Sequence, residues 1–188
     1  MQSLRKIVVI GPESTGKSTL SQALALHYDT KWVPEYAREF LLAGGNQYGY
    51  DDLLTIAKGQ IAGEDHIGLS LDRPRREDRI SGIRPALLFI DTDLYVMKVW
   101  CEFVFNRCHQ WIIDQIVERK YDLYLLCNTD LSWTKDELRE YPDLETRDKL
   151  FRMYKDILIN QATPWVEIKG IHEQRLELAM QAVDSYLR

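Results

Sequence analysis

Cysteine and long apolar runs are scarce in this sequence, and each absence narrows the class of protein. The 188 residues include only Cys101, Cys108 and Cys127, and none of them forms a C-x-x-C pair. This odd set disfavours a disulfide framework and a zinc site, and it indicates reduced thiols in the cytosol. No apolar stretch comes near the ~20 residues that span a bilayer, and residues 1–6 lack the apolar segment of a signal peptide. We therefore expect a cytoplasmic protein with no membrane partner.

The chain is also not basic. Acidic residues outnumber basic ones by 29 to 24, which gives a formal net charge of −5 at pH 7. This balance argues against nucleic acid as the main partner. The four histidines (His27, His66, His109 and His172) share no spacing typical of a metal site. With no repeat, low-complexity run or long linker, the length predicts one domain, residues 1–188. The sequence does not indicate the oligomeric state.

Short apolar segments alternate with helical patterns along the chain. The predicted strands are 6–10, 31–34, 86–91, 123–127 and 165–168. The predicted helices are 18–28, 35–42, 51–69, 94–119, 149–159 and 173–187. Such alternation is typical of βαβ units. It predicts an α/β fold with a five-stranded, mostly parallel sheet and helices on both faces.

One glycine-rich motif follows the first predicted strand. Residues 11–18 match G-x-x-x-x-G-K-[ST], whose backbone N–H groups surround nucleotide phosphates. The predicted nucleotide-binding residues are Gly11, Glu13, Ser14, Thr15, Gly16, Lys17, Ser18 and Thr19. Lys17 is expected to reach the β- and γ-phosphates as a catalytic residue, and the Ser18 hydroxyl to ligate Mg²⁺. The motif identifies a P-loop and predicts binding of a nucleoside triphosphate.

Carboxylates follow two other predicted strands. Asp91 ends an apolar strand, which is where P-loop proteins place a Mg²⁺-binding acid, while Asp93 either contacts substrate or caps the next helix. Glu35 follows the second strand, and we expect it to face the same crevice and to accept a proton from a substrate hydroxyl. Arg38, one turn later, either binds substrate phosphate or pairs with Glu35 on the surface. Which of Glu35 and Asp91 is the general base stays open.

Charged segments later in the chain supply candidate cations. Residues 130–148, called the lid segment below, carry Arg139 and Arg147, which we expect to close over the γ-phosphate. A charged surface helix is an equally good interpretation of this segment. Arg175, after the last strand, is a candidate to stack on adenine. The arginine-rich stretch 72–84 is interpreted as a solvated connector, with a basic substrate-facing loop as the alternative.

Taken in order, these segments resemble the NadR-type ribosylnicotinamide kinase domain. The resemblance is carried by residues 11–18, 35–39, 56–60, 89–93 and 133–139, together with Arg147, Gly170 and Arg175. It implies a P-loop nucleoside-kinase-like fold with a lid, and ATP and Mg²⁺ as cofactors. It also implies phosphorylation of the 5′-hydroxyl of nicotinamide riboside to nicotinamide mononucleotide, in NAD salvage. The substrate-binding residues it implies are Glu35, Tyr36, Arg38, Gln60, Asp91 and Asp93.

The sequence departs from this family at the nicotinamide ring. Pro34 and Gly63 stand where related proteins have aromatic residues, and a cationic ring gains from aromatic faces. Nearby aromatic residues that can take their place are Tyr36, Tyr48, Tyr50 and Trp100. No DNA-binding helix-turn-helix region precedes the P-loop and no adenylyltransferase signature is present, so we expect the kinase domain alone.

Two other readings of the motifs stay open at this point. One is a kinase for another nucleoside or small metabolite, and the other is a nucleotide-dependent regulatory ATPase without an acceptor. A GTPase switch is disfavoured, because it needs Asn-Lys-x-Asp after the fourth strand. The sequence there is Asn128-Thr129-Asp130, with no lysine after the asparagine.

Overall fold

The chain folds around a parallel β-sheet. The computed structural model describes residues 4–45, 47–71 and 86–187. The strands are β1 Arg5–Ile10, β2 Lys31–Val33, β3 Leu87–Asp91, β4 Leu123–Cys127 and β5 Trp165–Ile168. They lie in the order β2-β3-β1-β4-β5, and every neighbouring pair is parallel. The predicted α/β fold with a five-stranded parallel sheet is confirmed.

Helices cover both faces of this sheet. They are α1 Lys17–His27, α2 Tyr36–Gly44, α3 Tyr50–Leu71, α4 Leu94–Phe105, α5 Gln110–Glu118, α6 Leu144–Ile159 and α7 His172–Leu187. Successive β1 residues point to opposite faces, so Ile7 and Val9 pack with α1 and α7 while Val8 and Ile10 pack with α4 and α6. No described helix is long and apolar enough to cross a bilayer.

The predicted helix 94–119 is wrong, because the structure divides it into α4 and α5. Asn106 adopts a left-handed conformation with φ +55° and ends α4. Asparagine tolerates this conformation better than most residues, since its short side chain hydrogen-bonds locally. The apolar pattern of α4 ends at Phe105 and resumes at Trp111, and the prediction joined the two apolar segments into one helix.

The predicted helix 149–159 begins too late. Its first residue is Leu144, because the Asp143 carboxylate accepts a hydrogen bond of 2.7 Å from the Thr146 backbone N–H and caps the first turn. Arg147 therefore lies on α6 rather than in a loop. The arginine-rich stretch 72–84 lies outside the described residues.

The topology brings the sequence motifs to one edge of the sheet. The carboxyl ends of parallel strands point the same way, and β1 pairs with β3 so that Val9 lies beside Asp91. The P-loop leaves β1 at this edge, and β2 ends next to β3. Ligands of open α/β sheets bind outside these strand ends, and the P-loop, Glu35 and Asp91 all lie at this edge of the sheet.

Candidate active site

The P-loop backbone turns tightly between β1 and α1. Gly11 has φ +143°, and a Cβ there would lie 2.6 Å from the Cys127 carbonyl oxygen, so a side chain does not fit. The Thr15 hydroxyl closes the loop with a hydrogen bond of 2.8 Å to the Pro12 carbonyl oxygen. The Lys17 ammonium donates to the same carbonyl over 2.8 Å. The loop thus has the anion-binding form that the motif predicts, with α1 starting directly after it.

Arg175 supports the P-loop from below. Its side chain is 2% exposed and donates to the Thr15 and Asn128 carbonyl oxygens over 3.0 Å each. It also pairs with the Asp130 carboxylate. This burial leaves no face for an adenine ring, in contrast to the expected stacking. Arg175 holds the loop in place instead.

Arg147 is buried against the P-loop as well. Its guanidinium donates to the Leu131 carbonyl oxygen over 3.1 Å and to the Ser14 carbonyl oxygen over 3.4 Å. Burial lowers the pKa of this arginine. Its position on α6 connects the P-loop to the start of the lid segment. It does not line the cavity described below, whereas Arg139 does.

Asp91 is a buried carboxylate at the end of β3. It has no solvent exposure, and neither carboxylate oxygen has a hydrogen-bond partner among the described residues. Burial and the nearby Glu35 charge raise the pKa of Asp91 to about 7, and Lys17 and Ser18 offset part of the rise. A buried carboxylate without partners is a free cation ligand, and the Ser18 hydroxyl offers a second oxygen. Oxygen donors of this kind suit Mg²⁺, which also retains waters and phosphate ligands.

No larger metal site of protein ligands accompanies this carboxylate. The described residues contain no cluster of three or more His, Cys, Asp or Glu side chains able to hold a metal ion.

Gln60 braces the backbone around both candidate acids. Its side-chain amide donates to the carbonyl oxygens of Asp91 and Thr92 over 3.2 and 3.1 Å, and accepts from the Tyr36 N–H over 2.8 Å. Thr92 has φ +68°, an uncommon conformation for a β-branched residue that marks local strain. Gln60 is itself 2% exposed. Gln60 therefore holds the backbone beside Glu35 and Asp91 in this structure. The resemblance implied a substrate contact for Gln60 instead.

Asp93 and Tyr36 also serve the scaffold. The Asp93 carboxylate accepts from the Tyr95 N–H over 3.0 Å, which caps α4, and from the Tyr124 hydroxyl over 2.8 Å. Asp93 is buried, so the capping alternative describes it. The Tyr36 ring lies so close to α3 that a Cβ on Gly59 would meet it at 2.1 Å. Neither residue lines the cavity described below.

Glu35 differs from these neighbours. It is the N-cap residue of α2, yet its side chain makes no capping hydrogen bond. The residue lies on the wall of the cavity that also contains Lys17 and Ser18. Its carboxylate is thus available to an acceptor hydroxyl placed beside the P-loop.

The lid segment is seated on the P-loop through Glu13. Between β4 and α6 the chain forms no helix over the described residues 128–143, which rules out the charged surface helix. The Glu13 carboxylate accepts from the Tyr141 N–H over 2.7 Å, the Glu140 N–H over 2.9 Å and the Trp133 indole N–H over 3.2 Å. The sequence predicted that Glu13 binds the nucleotide. In the structure its carboxylate hydrogen-bonds to the lid segment instead.

Two further contacts hold the lid segment across the crevice. Arg38 on α2 donates both guanidinium nitrogens to Asp136 over 3.1 and 3.3 Å, rather than pairing with Glu35. This fork lowers the pKa of Asp136. The Tyr48 hydroxyl donates to the Glu140 carboxylate over 3.0 Å. Within the segment, the Arg139 guanidinium donates to the Thr134 carbonyl oxygen.

These elements enclose a cavity of about 230 Å³. Its polar lining includes the P-loop with Lys17, Glu35, and Arg139 of the lid segment. The apolar and aromatic lining residues are Ala37, Leu41, Val96, Val99, Trp100, Phe103, Leu138, Tyr141, Leu150 and Tyr154. A ligand that combines a phosphate with a flat apolar group fits such a lining.

The sequence predicted a possible ring contact at Trp100, but not the rest of the α4 wall. Val96, Val99, Trp100 and Phe103 follow the i, i+3, i+4, i+7 spacing of one helix face. That spacing is readable in the sequence, but it equally describes a core stripe. Only the position of α4 beside the strand ends shows that the stripe meets a cavity.

Comparison with known proteins agrees with this architecture. The trifunctional NAD biosynthesis/regulator protein NadR of Salmonella typhimurium is 26% identical over 170 residues, which are 88% of this chain and 38% of that protein. The Escherichia coli NadR protein is 25% identical over the same shares. The chain thus spans well under half the length of these curated relatives.

Solved structures show the same fold. The crystal structure of NadR protein in complex with NR matches with a TM-score of 0.77 and 21% identity, covering 99% of this chain and 50% of that one. Thymidylate kinase from Ehrlichia chaffeensis matches with a TM-score of 0.64 and 12% identity, covering 97% and 98%. The fold is that of P-loop kinases.

The family assignment rests on the longest match. An AAA domain family model aligns with residues 6–175, from β1 through the P-loop and lid segment to Arg175. Because this match spans most of the chain, the protein belongs to that AAA domain family, and its resemblance to the NadR-type kinase domain is confirmed.

Proposed function

We propose that the protein transfers the γ-phosphoryl group of ATP to the 5′-hydroxyl of nicotinamide riboside and forms nicotinamide mononucleotide. The observation that supports this most directly is one cavity whose lining includes the P-loop, Glu35 and several aromatic residues. A nucleoside has matching parts: its 5′-hydroxyl accepts the phosphoryl group, and its base is a planar ring. The NadR relatives and the NR complex of a NadR protein support the choice of nucleoside.

In this proposal the P-loop residues bind and orient the donor. The backbone N–H groups and Lys17 hold the β- and γ-phosphates, and Ser18 and Asp91 hold Mg²⁺. The bound ion neutralises phosphate charge and orients the γ-phosphoryl group. Glu35 accepts the proton of the attacking hydroxyl. Gln60 keeps Glu35 and Asp91 at their spacing through the hydrogen bonds described above.

The lid segment supplies a cation and excludes water. Arg139 and Lys17 both line the cavity, and a guanidinium there stabilises the charge that spreads over the transferring group. The hydrogen bonds of this segment to Glu13 and Arg38 hold it beside the P-loop. A lid held in this place limits transfer to water.

The proposed function is tested by product analysis. Purified protein is incubated with ATP, Mg²⁺ and nicotinamide riboside, and nicotinamide mononucleotide is followed by mass spectrometry alongside ADP. We expect the two products in equal amounts, and little ADP without the riboside. ATP consumption that ignores nicotinamide riboside would contradict the proposal. A panel of other nucleosides would then separate a different acceptor from a regulatory ATPase.

An Arg139→Ala variant tests the role of the lid segment. We expect kcat to fall about tenfold or more, because a cation aimed at the transferring group acts mainly in the transition state. The KM for ATP should change much less. Steady-state kinetics of this variant are compared with those of Arg152→Ala, an exposed arginine on α6. A large rise in KM with unchanged kcat would make Arg139 a ground-state binding residue.

A further inference from the structure

Four aromatic residues were candidates to replace the missing ring contacts at Pro34 and Gly63, and the structure separates them. Trp100 alone of the four lines the cavity. The Tyr36 ring is packed onto Gly59, as described above. The Tyr50 ring stacks on His109 with centroids 3.8 Å apart and carries the Arg107 guanidinium, 3.8 Å from its centroid.

Tyr48 contacts the fourth candidate directly. Its hydroxyl accepts a hydrogen bond of 2.9 Å from the Trp100 indole N–H, and the two rings meet edge to face with centroids 4.9 Å apart. The same hydroxyl donates to the Glu140 carboxylate. The indole N–H of Trp100 therefore has its hydrogen-bond partner in Tyr48. Its orientation is fixed before any ligand arrives.

The other cavity aromatics have partners that limit their role. The Lys149 ammonium lies 5.2 Å from the Phe103 centroid. Phe103 also meets the lid residue Tyr141 edge to face, with centroids 5.5 Å apart. These contacts join α4 to the lid segment and to α6. Of the two aromatic residues that α4 contributes to this wall, Trp100 is the one without a cation on its ring among the described residues.

The charge around Trp100 favours a cationic ligand. The Glu140 carboxylate lies on the cavity wall, one hydrogen bond beyond Tyr48. An indole face attracts cations through its quadrupole, more strongly than phenol or phenyl faces do. The cations that line the cavity lie on other elements: Lys17 follows the P-loop glycines, Arg38 on α2 is paired with Asp136, and Arg139 lies in the lid segment. A positively charged planar ring therefore gains most by lying on Trp100.

We propose that Trp100 is the residue that recognises the acceptor's ring, and that Tyr48 positions it. The ligand is a planar heteroaromatic ring carrying positive charge, stacked on the indole within the cavity. This inference rests on the proposed function, and it gives α4 the recognition role that aromatic residues at the positions of Pro34 and Gly63 have in relatives.

The test compares Trp100→Ala, Trp100→Phe and Tyr48→Phe with a matched control, Trp111→Phe. Trp111 lies on α5 against Lys58, outside the cavity. We expect Trp100→Ala to raise the KM for nicotinamide riboside about tenfold, and Trp100→Phe about threefold. Tyr48→Phe should raise it about threefold through the lost hydrogen bond. The KM for ATP and the thermal midpoint should match those of Trp111→Phe.

A second measurement separates the two proposals. Calorimetric binding of nicotinamide riboside and of its uncharged dihydro form is measured in the presence of a non-hydrolysable ATP analogue. Preference for the cation in the wild-type chain, lost in Trp100→Ala, supports the inference even if the chain does not phosphorylate the riboside. Turnover of nicotinamide riboside with unchanged KM in Trp100→Ala overturns the inference alone. Neither binding nor turnover in the wild-type chain overturns both.

Discussion

A Lys17→Ala variant should fold normally and lose phosphoryl transfer, with kcat falling roughly 10³-fold toward background. The ammonium is the cation of the P-loop directed at the β- and γ-phosphates, and no other side chain of the loop can supply its charge. Initial rates of ADP formation at saturating ATP and acceptor measure the loss. Thermal unfolding and circular dichroism verify that the fold is retained.

The fold should survive because of how Lys17 is placed. Its only side-chain hydrogen bond among the described residues goes to the Pro12 carbonyl oxygen, within the same loop. Truncation therefore breaks no hydrogen bond to another element, and the buried Asp91 carboxyl can stay protonated when the Lys17 charge that lowers its pKa is removed. The control is Lys31→Ala, which removes an exposed lysine bonded to Ser70 at the start of β2. Near-normal turnover of Lys17→Ala would remove the basis for the P-loop assignment.

Changing Glu35 to glutamine should lower kcat by about 10²-fold or more, because an amide cannot accept the proton of the attacking hydroxyl. Glutamine keeps the size of the side chain and its ability to hydrogen-bond, so binding of the acceptor should change little. Kinetics with varied acceptor concentration separate the two effects. Glu39→Gln, an exposed glutamate on the same helix, is the control.

The Glu35 variant also distinguishes the two acids. If Glu35 is the base and Asp91 the metal ligand, Glu35→Gln lowers kcat without shifting the Mg²⁺ concentration needed for half-maximal rate. Asp91→Asn should raise that Mg²⁺ concentration, because it removes a charged oxygen ligand. If Glu35→Gln instead lowers kcat by less than tenfold and raises the Mg²⁺ requirement, Glu35 is the metal ligand and Asp91 the general base.

Much of this architecture could be predicted because its signals are local. The P-loop motif and the apolar pattern of each strand involve residues close in sequence. The shared edge of the strand ends also follows from topology, since parallel strands joined by right-handed crossovers place their carboxyl ends together. The family resemblance adds the position of the lid segment.

The directions of individual side chains could not be predicted in the same way. Arg147 was expected to close over the γ-phosphate and Arg175 to stack on adenine, yet both are buried and bonded to backbone carbonyls around the P-loop. Their partners lie far away along the chain, and no periodicity encodes them. Gln60 is similar, because its bonds to β3 and α2 exist only once α3 has packed. Long-range polar contacts of this kind decide which members of a motif meet the ligand.

Glu13 has a consequence for any attempt to exchange P-loops between kinases. The Lys17 side chain could be transplanted together with its loop, because among the described residues it hydrogen-bonds only within that loop. The Glu13 carboxylate instead accepts hydrogen bonds from three N–H groups of a segment more than a hundred residues later. Replacing Glu13 would leave these donors without that acceptor. A grafted loop with a neutral residue there would still bind its nucleotide but would lose its contacts with the lid segment. Position 13 and the lid segment must therefore be exchanged together, although the motif allows any residue at position 13.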